Sequence, residues 1–149
     1  MRDNKGFTLI ELLITISILS MILFIPMLKA NMVLNYKERQ ELKEFKNDLC
    51  YARNNAIVES TRYSVMLRPD TNSYIIFKHR ASALKEIVKN KEFTNGIKIK
   101  TTNIKGHEII FNYSGAPLIS GTIYLEDKKR NPIEITITPA TGKVNVYLK

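Results

Sequence analysis

The run from Phe7 to Leu28 constrains this chain more than any other feature. It holds a single ionisable side chain, Glu11, and no other until Lys29. As a helix it would be roughly 33 Å long, about one hydrocarbon core. The run therefore predicts a transmembrane or filament-core helix over 7–28, behind a short leader, 1–6, that ends in Gly6. A carboxylate in such a segment costs roughly 2.5–3.5 kcal/mol at mid-depth. Glu11 is thus expected to have a partner, and inside lipid the acceptable one is a cation carried by another apolar helix.

The opening MRDNKGFTLIELL resembles the class III signal of type IV pilins and type II secretion pseudopilins. The resemblance implies a prepilin peptidase that cuts between Gly6 and Phe7 and methylates the new N-terminus at Phe7. It also implies that Glu11 sets the register of assembly by meeting the N-terminal amine of a neighbouring subunit. A secretory signal peptide fits less well, because its apolar stretch is shorter and ends in a small-residue cleavage site, whereas this run ends in PMLKANMVL. An ordinary single-pass anchor remains open on hydropathy alone.

The segment after Lys29 keeps a helical period. Leu42, Phe45, Leu49, Ala52 and Ala56 recur at steps of three and four and line one face. Neither Gly nor Pro occurs between Pro26 and Arg62, so one helix is expected from about Phe7 to about Glu59, with 29–61 as its amphipathic continuation. Pro26 should kink or loosen it. From Arg62 the period changes to two. Residues 62–78 read as a hairpin turning at Pro69–Asn72. Further strands follow around Ile97–Lys100, Ile109–Tyr113, Ile123–Leu125, Ile133–Ile137 and Val144–Leu148. Residues 80–92 read as a loop or a short helix. The fold class is α+β: a long N-terminal helix packed on an antiparallel β-sheet domain over 62–149.

The order IIFNYSGAPLISGTIYL, DKKRNP, IEITITP and TGKVNVYL resembles GspH/FimT-like minor pseudopilins, and competence pseudopilins of DNA-uptake machines end in a similar way. This implies a minor subunit of a type IV pilus, type II secretion-like or DNA-uptake pseudopilus. Its implied partners are the prepilin peptidase, other pilin or pseudopilin subunits, the membrane platform protein of the assembly machine, and membrane lipid before assembly. The implied location is the cytoplasmic membrane, single-pass with the C-terminal domain outside the cytoplasm, and then a surface filament.

Chemistry is sparse. One cysteine, Cys50, excludes an internal disulfide framework. Two histidines, His79 and His107, leave little for a metal centre or a catalytic set, and no phosphate loop is present. No enzyme, metal or cofactor is expected. The net charge of +9 is concentrated from Arg62 onward, where the excess is +8. That excess fits a face that meets nucleic acid or an acidic partner, and equally lysines that simply keep a surface domain soluble. The candidate DNA-binding residues are Lys98, Lys100, Lys128, Lys129, Arg130, Lys143 and Lys149; the resemblance to DNA-uptake pilins singles out Lys143 and Lys149.

Overall fold

The computed structural model describes residues 8–80 and 84–148, apart from the side chains of 23–35. The chain divides into two compact units, Met1–Lys37 and Glu38–Lys149.

One helix, α1 (Leu9–Val58), begins in the first unit and ends in the second. Thr8 caps its N-terminus, and the helix runs on past Pro26. Three hydroxyls bond back to the carbonyl one turn behind: Thr15 to Leu12 (2.9 Å), Ser17 to Leu13 (2.8 Å) and Ser20 to Ile16 (2.8 Å). The helix stops where Ser60 turns left-handed (φ 48°) and Thr61 N–H donates to the Ala56 carbonyl at 3.2 Å.

The membrane expectation is overturned. Among the described residues, no helix is long and apolar enough to cross a membrane. The described part of the run, 8–22, carries Glu11 and the hydroxyls of Thr8, Thr15, Ser17 and Ser20 among its apolar side chains. That overturns the transmembrane helix over 7–28 and the single-pass membrane location.

In the second unit the described residues form eight antiparallel strands, divided between two four-stranded sheets, where the period-two pattern had suggested one. The strands are β1 (Tyr63–Arg68), β2 (Ser73–His79), β3 (Lys85–Glu92), β4 (Lys98–Thr102), β5 (Glu108–Phe111), β6 (Gly121–Glu126), β7 (Pro132–Ile137) and β8 (Val144–Leu148). The first sheet runs β3-β2-β1-β5 and the second β4-β6-β7-β8. Residues 85–92, expected in a loop or helix, are a strand, because β2 supplies a ladder from Ser73 to His79.

The helix stripe enters the core as its spacing requires. Phe45, Leu49, Ala52 and Ala56 are completely buried, with Leu42 and Cys50 packed at the margin. Phe45 meets Tyr74 with ring centroids 4.7 Å apart, and both rings lie 5.3 Å from Phe93. Burying a phenylalanine of this kind contributes about 1.5–3 kcal/mol. From the second sheet, Ile123, Leu125, Ile133, Ile135 and Ile137 complete the same cluster.

Candidate functional site: the helix entry and the basic sheet ends

The first turn of α1 is a reciprocal capping box. Glu11 Oε2 accepts the Thr8 backbone N–H and the Thr8 hydroxyl, each at 3.0 Å. The Thr8 hydroxyl oxygen in turn accepts the Glu11 N–H at 3.3 Å. This satisfies donors that a helix start leaves open. Glu11 is therefore held by its own chain, a partner that the apolar run did not suggest. Gly6 and Phe7 lie outside the described residues.

Every large apolar side chain from Leu9 to Ile22 is more than half exposed, and these residues go all the way round the helix. A helix apolar on all sides is normally covered. What this one can do chemically is associate with other apolar helices, with Glu11 as the only anionic group among the described residues of that stretch.

The basic candidates do not form one patch. Lys98 pairs in register with Glu126, which in turn faces Pro132. Lys98 and the β6–β7 turn holding Lys128, Lys129 and Arg130 thus share one end of the second sheet. Lys143 precedes Val144, which faces Ile137 and through it Gly121. That is the other end, roughly 17 Å along the strands. Lys100 forms an ion pair with Glu126 at 3.1 Å. The stem of Lys128 lies over Gly96, where an added Cβ would fall 2.5 Å from it. Lys149 lies outside the described residues.

The helix holds the sheets through polar contacts that its charge pattern did not reveal. Buried Glu41 accepts the N–H groups of Thr94 (2.6 Å), Asn95 (3.1 Å) and Ile97 (3.4 Å). Asp48 accepts the Tyr74 hydroxyl at 2.5 Å and Lys89 Nζ at 2.7 Å. Burial, and then this bond to Asp48, push the Tyr74 phenol well above its ordinary range. Bonds from Lys89 and Lys91 keep Glu44 below the usual carboxylate range against the effect of burial. Arg53 Nε donates to the Thr141 carbonyl at 2.9 Å, which fixes the turn before β8 to the helix.

One cluster was not legible at all. Ser64, His79 and Glu108 come from three neighbouring strands. Ser64 Oγ lies 2.9 Å from His79 Nε2, and Glu108 Oε1 lies 4.0 Å from the same nitrogen. Lys85 Nζ donates to both Glu108 oxygens at 2.7 and 2.9 Å. In a nucleophilic relay the imidazole stands between hydroxyl and carboxylate, each on its own nitrogen. Here both meet one nitrogen and Ser64 is completely buried, so the cluster ties strands together. Among the described residues, no group of three or more His, Cys, Asp or Glu is placed to hold a metal.

Comparison with known proteins adds three findings. Residues 1–25 match the family model described as the prokaryotic N-terminal methylation motif. The competence protein ComGD of Bacillus subtilis (strain 168) is 25% identical over 150 residues, covering 100% of this chain and 97% of that protein. Two solved structures share the fold. One is the minor pseudopilin EpsH of the type 2 secretion system of Vibrio cholerae, with TM-score 0.58, 13% identity, and 71% of this chain on 92% of that one. The other is the type IV minor pilin FimU of Pseudomonas aeruginosa, with TM-score 0.57, 15% identity, and 74% on 87%.

Proposed function

We propose that this chain, which has the minor-pseudopilin fold and carries the N-terminal methylation motif, is a non-catalytic minor subunit of a type IV pilus-like filament. The observation that carries this reading is the continuity of that motif with a helix whose apolar side chains are exposed all round from Leu9 to Ile22. A prepilin peptidase removes residues 1–6 and methylates Phe7. The freed helix then packs among the helices of neighbouring subunits, with Glu11 facing a neighbour's N-terminal amine. The platform protein of the assembly machine delivers it there.

Mass spectrometry of the N-terminal peptide, from cells with an active prepilin peptidase, tests the processing step. The expected product begins with N-methylated Phe7, and Gly6→Val should block its formation by crowding the scissile bond. An intact Met1 terminus in the presence of active enzyme would refute the reading. For assembly, crosslinking of Glu11→Ala to partner pilins should fall, since the acceptor for the amine is lost. Unchanged crosslinking would remove Glu11 from the mechanism.

A second reading, filament-borne DNA capture, is favoured by the grouping of Lys98, Lys128, Lys129 and Arg130 at one sheet end and by the likeness to a competence protein. Contacts would be to phosphates, independent of sequence and weakened by salt. Anisotropy titration with random duplex should give a salt slope that becomes shallower when Lys128, Lys129 and Arg130 are changed to Gln. Lys143→Gln should move it least, because that residue stands at the far end. No binding at low salt would end this reading.

A further inference from the structure

We propose that β3 is a pairing edge for a second copy of this chain, antiparallel about a two-fold axis between Val88 and Lys89. Among the described residues no strand pairs with the outer side of β3. Lys85 to Val88 are all exposed. The ladder with β2 shifts between Ile76 and Phe77, so that Val88 is left without a partner and forms a bulge.

That bulge sets which residues share a face. Lys85, Ile87, Asn90 and Glu92 stand opposite His79, Phe77, Ile75 and Ser73, while Glu86, Lys89 and Lys91 stand opposite Lys78, Ile76 and Tyr74. Directly opposed residues lie on one face of a sheet. In a two-fold pair centred after Val88, Lys85 would oppose the second copy's Glu92, Glu86 its Lys91, and Ile87 its Asn90. Each of these pairs shares a face, which an unbulged strand in the same register would not allow. Each ion pair occurs twice by symmetry. Charges on an edge strand normally prevent pairing. Here their order gives this register the most unlike pairs, and that complementarity selects a second copy as the occupant; Lys85, Glu86 and Lys91, which pair with Glu108, Arg80 and Glu44 within the chain, would share or exchange those partners. A two-fold contact is closed and does not propagate. The pair would therefore be a state of the unassembled subunit, independent of the filament reading.

The test uses the full chain with Cys50→Ser. Ile87→Cys in one tagged copy and Asn90→Cys in another should form a disulfide on co-expression under oxidising conditions, because opposed Cα atoms lie within bonding range. In that background Glu86→Lys in both copies, or Lys91→Glu in both, should cut the crosslink at least tenfold. Glu86→Lys in one copy with Lys91→Glu in the other should restore it, since positions 86 and 91 would again oppose unlike charges at both ends of the pair. Restoration also shows that both variants fold. Absence of a crosslink between the cysteine variants, a crosslink indifferent to charge, or failure of the mixed pair to recover would each overturn the proposal.

Discussion

Glu41 on α1 holds the chain where it leaves the first sheet: its carboxylate accepts the Thr94 N–H at 2.6 Å and is almost completely buried. Replacing it with Ala would leave the N–H groups of Thr94, Asn95 and Ile97 without their acceptor, the last of them on a fully buried residue. The expected loss is about 2–4 kcal/mol, from desolvated donors left open. Urea unfolding of Glu41→Ala against wild type measures it. Glu41→Gln should lose less, because one oxygen remains.

Asn72 performs the complementary task from the β1–β2 turn. Its amide donates to the carbonyls of Phe93 (3.1 Å) and Ile97 (2.9 Å), and its oxygen accepts the Ile99 N–H at 2.8 Å. It also sits at φ 48°, which asparagine tolerates better than most residues. Asn72→Ala should cost about 2–3 kcal/mol. Asn72→Asp should recover only the bond from Ile99. Amide exchange at Ile99 should therefore accelerate strongly in the first variant and weakly in the second.

Gly142 adopts φ 62°, and an added Cβ would collide with the Gly115 carbonyl oxygen. Backbone cannot swing aside as a side chain can. Gly142→Ala is expected to destabilise by about 1–3 kcal/mol through crowding. Gly115→Ala meets side chains instead, Ile57 Cδ1 at 2.6 Å and Cγ1 at 3.0 Å, which can give way, and its cost comes mainly from its positive φ. A lower melting temperature for the first variant than for the second would bear this out.

His79 titrates below its ordinary value because of burial and then Lys85, with Glu108 opposing them. A histidine with a depressed folded pKa binds protons more readily when unfolded. Stability should therefore decrease as pH falls through about 6.5, and level off below the folded pKa. Glu108 adds a lower step. Burial raises it, but bonds from Lys85 and Ser64 outweigh that and bring it down. Its contribution is present above the unfolded carboxylate value and is lost as pH falls through the folded one. Thermal melts of His79→Gln between pH 8 and 3 should lose the upper step and keep the lower, which falls below the ordinary carboxylate value.

The sequence made the helix stripe and most strands legible because both express a hydrophobic period: Phe45, Leu49, Ala52 and Ala56 are buried as their spacing requires. The strand β3 was not legible, since KEIVKNKE has an edge strand's charge and its alternation breaks at Val88. The split into two sheets depends on which strands pair, and period alone does not encode that. Basic residues were visible by type, but only the register separates Lys143 from the Lys128–Arg130 turn. Glu41 and the Ser64–His79–Glu108 cluster were hidden because a charged helix residue and a lone strand serine look like ordinary surface positions.

The capping box at Thr8 has a consequence for recruitment. Both bonds from Thr8 go to the same carboxylate oxygen, Oε2. These bonds restrain the Glu11 side chain within its own first turn, and under the proposed assembly they would do so before a neighbour docks. An incoming amine would meet an acceptor whose rotational freedom is already restricted, so less ordering entropy is left to lose at docking. Thr8→Ala would keep the charge and release the arm. The signature of that change is slower or less specific docking with the carboxylate still present.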